Sequence, residues 1–405
     1  MHPRYDATDR PGRSGTARGR ARREQIIAVA GELFHQRGYQ DVTLAEVSRR
    51  VELTAPALYR HFSSKEQLLM ATLSATLDYS ESVLLQYADR DIAVLVGPMV
   101  DVGLERRDIW TLIQREVRHL TARDQRDIAG RYAAVVHSVT AAVARYRARL
   151  STENCHLIAC AMLSVAGSPS TDPVDMPRSR YRAVLRAIEN SLLDFELPGD
   201  SDAHDHRRID GEGPAHAAES NGERPRSTAV EDAAIELFYR VGYAAVTVDD
   251  IGSAAGITGP SVYHYVSSKS ELLVEVLSRA VAMVTDAARR ALSHEGTADE
   301  RLRALVRSYC RIAAANRELF GVYITEAANV PRGDARRLRE SMARDVDRWI
   351  QALMRVRPAL DVSEAQVRVF AARRVVTDMV RLERTDDDRL AHVTELLAMN
   401  VLCGS

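Results

Sequence analysis

The chain is short of lysine. Of its 55 basic residues only Lys65 and Lys269 are lysines, and the rest are arginine. A GC-rich coding bias accounts for the scarcity but not for the two positions. Cys155, Cys160, Cys310 and Cys403 are too few in 405 residues for a disulfide framework. Aromatic residues make up 5% of the chain, and the Ala-, Leu- and Arg-rich remainder leans helical. No run of about 18 apolar residues exists, so no membrane span is expected. The opening Met1-His2-Pro3-Arg4-Tyr5 has no apolar stretch behind it and does not read as a signal peptide. The expectation is a cytoplasmic protein. A net charge of -1 excludes a uniformly basic surface but leaves room for local ones. No G-x-S-x-G, P-loop, H-E-x-x-H or G-x-G-x-x-G stands in a usable context, so neither an enzyme nor a cofactor is expected. Cys155-His156 with Cys160 is spaced too unevenly along a helix to hold a metal, and reads as buried thiols.

What is present is length, apolar content and a repeat. A 405-residue chain that is 46% hydrophobic supports two to four packed domains. Residues 24–73 align with residues 228–277 without gaps, and 17 of the 50 positions are identical. Glu32-Leu33-Phe34 recurs as Glu236-Leu237-Phe238, Gly38-Tyr39 as Gly242-Tyr243, and Val42-Thr43 as Val246-Thr247. Thr54, Pro56 and Tyr59 recur as Thr258, Pro260 and Tyr263, and Ser63-Ser64-Lys65 as Ser267-Ser268-Lys269. The two lysines are one position in two copies. Between the copies, residues 198–226 are rich in Gly, Pro, Asp, Glu and His and poor in large apolar side chains. They read as a flexible linker, with His204, His206 and His216 as solvated residues.

Each copy reads as short helices with explicit signals. Ile26, Ala30, Leu33 and Phe34 make the apolar stripe of a first helix, which Gly38 ends as a left-handed residue. Thr43-x-x-Glu46 predicts a capping box for the second helix, and Thr54 caps the third, with Pro56 in its first turn. Ser64-x-x-Gln67 starts the fourth. The second copy repeats the scheme with Thr247-x-x-Asp250, Thr258 and Ser268-x-x-Glu271. Two short helices joined by a tight turn and buttressed by a third describe a helix-turn-helix DNA reader. On the third helix, Leu58 and Phe62 should face the core, leaving Pro56 and Arg60 outward with Ala57 and Tyr59 on the flanks. Arg60 can then donate a bidentate pair to a guanine edge. Tyr59, His61 and Lys65 stand where phosphate contacts are useful.

The stretch ELFHQRGYQDVTLAEVSRRVELTAPALYRHFSSKEQLL resembles the N-terminal domain of the TetR family of bacterial regulators. ELFYRVGYAAVTVDDIGSAAGITGPSVYHYVSSKSELL resembles it almost as well, departing at His264, Tyr265 and Val266. The resemblance implies an all-α tandem protein, two family-length subunits fused as a covalent pseudo-dimer, of the type found among actinobacterial lipid and steroid regulators. It implies DNA contacts from Thr43, Thr54, Ala55, Pro56, Ala57, Tyr59, Arg60, His61 and Lys65. The matching positions of the second copy are Thr247, Thr258, Gly259, Pro260, Ser261, Tyr263, His264, Tyr265 and Lys269. The implied partners are a double-stranded operator and a small-molecule effector, and further pairing of chains on DNA is left open.

The implied division is a basic arm over 1–19, a reader over 20–66, a helical ligand-binding and dimerisation domain over 67–197, the linker over 198–226, a second reader over 227–270 and a second helical domain over 271–405. Amphipathic helices are expected near 66–88, 91–106, 107–120, 122–149, 152–166 and 177–195. In the second half they are expected near 268–294, 298–315, 317–329, 333–356, 362–382 and 386–402. The last two of each half should pair as a four-helix bundle. A weaker echo at an offset of 210 sets Trp110 and Glu116 opposite Phe320 and Glu326. The segment around Trp110 is similar to a helix in regulators that respond to acyl-CoA or lipid ligands, which makes these four the ligand-contact candidates.

The two readers differ in charge. Residues 10–70 carry 11 Lys/Arg against six Asp/Glu, and residues 224–275 carry four against seven. The expectation is a transcriptional regulator, a repressor released by its ligand, in which the first reader supplies more of the electrostatic affinity. The other reading, which the acidic second copy favours, is a protein-interaction scaffold whose second reader no longer binds DNA.

Overall fold

A computed structural model describes residues 17–87, 90–170, 174–197, 226–382 and 387–404. Every regular element among the described residues is helical. In the first half, α1 (Ala17–Arg37), α2 (Leu44–Arg50) and α3 (Ala55–Tyr59) form the reader. The body consists of α4 (Lys65–Gln86), α5 (Ile92–Glu105), α6 (Asp108–Glu116), α7 (Ala122–Tyr146), α8 (Thr152–Gly167) and α9 (Arg178–Asp194). The second half repeats the order. Its reader is α10 (Arg226–Arg240), α11 (Val248–Ala254) and α12 (Gly259–Val262). Its body is α13 (Lys269–Ser293), α14 (Ala298–Ala315), α15 (Arg317–Glu326), α16 (Arg332–Val356), α17 (Val362–Met379) and α18 (Asp387–Cys403). Short 3-10 turns extend α6, α8 and α15. No described helix is long and apolar enough to cross a membrane.

The expected helices fall within a few residues of the observed ones, but the capping differs. Thr43 accepts a hydrogen bond from the Glu46 amide, yet the Glu46 carboxylate turns to Arg37. The box is therefore half made, whereas Thr247 and Asp250 complete theirs. Thr54 and Thr258 make no side-chain cap on α3 or α12, and Thr258 bonds to Ser261 instead, at 2.7 Å. Of the expected arm, residues 1–16 lie outside the described residues, and α1 begins at Ala17, so that Arg18, Arg20, Arg22 and Arg23 belong to its first turns. Most of the linker, residues 198–225, likewise lies outside them.

Each reader has its own small core. Phe34, Leu58, Phe62 and Leu69 are fully buried in the first, and Phe238, Ile251, Val262 and Leu273 in the second. The two bodies share a single core instead. Ile158, Met162 and Val165 on α8 and Leu185, Ile188 and Leu192 on α9 belong to one cluster with Val367, Ala371 and Val375 on α17 and Leu397 and Val401 on α18. The expected four-helix bundle is thus the junction of the halves. Burial of continuous apolar surface is the dominant favourable contribution to such an association. Polar contacts line its edge: Arg389 bonds to Asn154 at 2.9 Å and pairs with Glu153 at 2.7 Å, and Arg180 pairs with Asp361.

Candidate nucleic-acid interface and ligand cavity

On α3, Leu58 points inward with Phe62 just beyond the helix end. That phase leaves Thr54, Ala55, Pro56, Tyr59 and Arg60 exposed, with Ala57 and His61 half-buried. Tyr59, at 54% exposure, does not pack on α1 as a core residue would. Thr43 stands exposed at the start of α2. In the second reader Val262 and Val266 take the inward positions, and Thr258, Pro260, Tyr263, His264 and Tyr265 are exposed, with Ser261 half-buried. Thr247 is exposed as Thr43 is. Gly259 alone is buried, under Asp249: a Cβ there would stand 1.7 Å from Asp249 Oδ1. Ala55 and Ala45 occupy these positions in the first reader, so a carboxylate leans on the turn in the second copy only.

The two lysines have a structural use that their spacing did not reveal. Lys65 Nζ lies 4.3 Å from the Tyr39 ring centroid and donates to the Gln40 carbonyl at 3.1 Å. Lys269 Nζ lies 4.4 Å from the Tyr243 ring and donates to the Tyr243 and Val246 carbonyls at 2.9 and 2.7 Å. Each ammonium ties the Gly-Tyr turn to the start of the long helix that follows the reader. A compact ammonium has three donors to offer such crowded carbonyls. Burial lowers both pKa values. The turns themselves require glycine, at φ +81° for Gly38 and +92° for Gly242.

Under each turn lies a buried acid. Glu116 is 3% exposed, with Arg115 at 3.7 Å and His119 at 3.6 Å. Burial raises its pKa, which Arg115 and the Tyr39 amide partly offset. His119 is pushed down to about 4 by burial and by Arg118 and Lys65, so it is neutral at pH 7. Glu326 is fully buried and accepts from Asn329 at 2.7 Å and from Arg118. Arg118 belongs to the first half, and its stem also packs on Gly242 of the second reader. Both candidate acids therefore face the hinge between body and reader.

A cavity of about 910 Å³ opens in the second half. Tyr309, Phe320, Ile324, Val346 and Phe370 give it apolar walls, and Thr111, Gln114 and Arg115 close one side from α6 of the first half. Tyr309 meets Phe320 edge-on at 5.8 Å. Arg373 lies 4.7 Å from the Tyr309 ring and donates to Asp345 at 2.5 Å. Arg374 donates to Asp378 at 2.6 Å, and Asp378 accepts from Gln114 across the junction at 2.9 Å. The matching region of the first half holds only about 40 Å³. There Trp110 stands edge-on to Tyr132 at 5.6 Å and lies against Gly167, where a Cβ would meet the indole at 2.8 Å.

Of the four ligand candidates, Phe320 lines the large cavity and Trp110 fills the small one, while Glu116 and Glu326 line neither. Sequence reasoning missed Arg373, Arg374 and Asp378. The signal was there: three charges inside VFAARRVVTDMV, a stretch otherwise apolar enough to be central.

The family model described as bacterial regulatory proteins, tetR family, matches at residues 26–72 and again at 232–276. The chain carries the N-terminal domain of the TetR family twice, in tandem. It is 40% identical over 57 residues to the transcriptional activator FasR of Mycolicibacterium smegmatis, which spans 14% of this chain and 26% of that protein. It is 33% identical over 78 residues to the regulator HbdR of Aromatoleum, spanning 19% and 32%. With the repressor KstR2 of Rhodococcus jostii it shares 29% over 125 residues, spanning 29% and 58%. These alignments leave more than two fifths of each relative unmatched. Among solved structures, PfmR of Thermus thermophilus is similar at 24% identity and a TM-score of 0.39, covering 44% of this chain and 97% of that one.

Proposed function

We propose that the chain is a DNA-binding transcriptional regulator, a repressor released by a small molecule of lipid or steroid type. The observation that carries this reading is the pair of reader faces. In both, the residues assigned to DNA (Thr54, Pro56, Tyr59 and Arg60, and Thr258, Pro260, Tyr263 and His264) are exposed while the residues between them hold the core. The readers extend from one fused body, so tethering replaces a bimolecular step by an effective concentration in the millimolar range. The apolar walls of the second-half cavity, formed by Tyr309, Phe320, Ile324, Val346 and Phe370, support the ligand class. The domain boundaries expected above, the operator, the effector and the cytoplasmic location belong to the same proposal.

A gel shift on the upstream region of its own gene, titrated with salt, tests it. Displaced counterions make the affinity fall steeply with salt, by roughly 0.9 log unit per phosphate contact per log unit of salt. An absent or salt-insensitive shift would sink the reading. Asp249 favours the scaffold reading for the second reader alone, and loss of that half-site from the footprint would establish it.

A further inference from the structure

The two halves differ most where a ligand would sit. Helices α7 and α16 begin and end 210 residues apart, and α8 and α17 begin 210 apart. In that register the cavity's Arg373 and Arg374, and the two acids that hold them, have apolar or hydroxyl counterparts in the first half. Asp345 stands opposite Val135, Arg373 opposite Leu163, Arg374 opposite Ser164 and Asp378 opposite Ser168. Thr377 stands opposite Gly167, the residue that admits the Trp110 ring. One half has spent its cavity on an indole, and the other has kept it and charged it.

Charge of one sign gathers around the open cavity. Its depth is aromatic and aliphatic, and Arg115, Arg332, Arg339, Arg373 and Arg374 stand around it, with Asp41 the lining acid among the described residues. Arg332 and Arg339 are exposed at its edge. The Arg374 side chain is 10% exposed, and its Nη2 is buried with no acceptor among the described residues. A buried donor left unsatisfied costs free energy that an incoming acceptor recovers. We infer that each chain binds one amphiphilic anion, an apolar body carrying a carboxylate or phosphate head, in the second half only, with its head against Arg374. The first half takes part as a wall. Gln114 holds Asp378, and Asp378 holds Arg374, so a head that draws Arg374 disturbs a bond to α6, the helix that runs into Glu116 under the first reader's turn.

The inference rests on the proposed function for the ligand's role as effector, but binding is measured without DNA, so either can fail alone. Titration calorimetry on the full chain would use decanoate, decanoyl-coenzyme A and decanol. The expected result is one equivalent of anion per chain, held at least tenfold tighter than decanol. The tighter of the two anions identifies the head as free carboxylate or phosphorylated carrier. Arg374→Gln should remove most of the preference for the anion. Ile324→Trp, which adds volume inside the cavity without touching the arginines, should abolish binding while leaving the helical content unchanged. Two equivalents per chain, no anion bound, equal affinity for decanol, or unaltered binding in Ile324→Trp would each overturn the inference.

Discussion

The halves of this chain share an order of helices but not a distribution of charge. The first reader is basic and its body is closed on Trp110. The second reader is acidic and its body holds an open, arginine-lined cavity. A homodimer must carry every function on both subunits, because one sequence makes both. Fusion lifts that constraint, and here the basic reader has fallen to one copy and the arginine-lined cavity to the other. The contact between copies is equally one-sided. Arg118 reaches Glu326, while its counterpart 210 residues on is Ala328, so nothing returns the contact to Glu116.

The largest expected effect breaks that one-sided contact. Arg118→Met leaves Glu326 buried with its main cation gone, and removing one partner of a buried pair costs about 3–5 kcal/mol. Denaturant unfolding should show the loss, and Arg118→Met with Glu326→Gln should recover most of it. Equal losses in the single and double variants would mean that the charge pairing is not what matters there.

The next largest separates the readers. Arg60→Ala should cost about 1–3 kcal/mol of binding and relax one base position in one half-site. His264→Ala should cost less and act on the other half-site. Binding to half-site variants distinguishes these outcomes, and loss of the same base preference in both would make the readers equivalent.

Stability against pH sharpens the comparison in the shared core. Arg368, buried in the second half, bonds to Glu364 and to the carbonyls of Val401 and Gly404. Glu189, buried in the first, has no partner for either oxygen among the described residues, and burial raises its pKa well above the ordinary carboxylate value. The folded state therefore holds a proton that the unfolded chain releases. Stability falls as pH rises through and above the ordinary carboxylate range, and the cost is absent below it. Glu189→Met should stabilise the protein by about 1–3 kcal/mol near pH 4, where the unpartnered carboxyl is protonated, and by more at pH 8. Thermal unfolding across that range checks it, and a pH-independent gain would remove titration from the explanation.

Local signals were legible in sequence where local physics decides. Gly38 and Gly242 end their helices because only a left-handed residue lets the turn close, and Leu58 and Phe62 face inward because of helical period. Thr54 takes the N-cap position of α3 as the sequence predicts, but unlike Thr43 it makes no side-chain bond there, which residue type alone does not show. Glu116 and Glu326 share a repeat position, which shows that they matter without showing what they touch. The cavity was hidden for the same reason. It arises from Trp110 and Gly167 meeting across helices in one half and from Phe320 and Thr377 failing to fill the space in the other.

The smallest expected effect concerns the two lysines, on which the halves differ by one hydrogen bond. Lys65 donates to one carbonyl and Lys269 to two, each beside a tyrosine ring. A net hydrogen bond contributes about 0.5–1.5 kcal/mol and an exposed cation–π contact about 0.5–1 kcal/mol. Lys269→Met should therefore destabilise its reader somewhat more than Lys65→Met destabilises the first, as read by hydrogen exchange of the amides in the two turns. The salt slope of DNA binding supplies the second axis. If Lys65 also meets a phosphate, its loss lowers that slope by about 0.9 on top of the exchange effect. If Lys269 shifts exchange but not slope, the same lysine holds both readers together and touches DNA in only the basic one.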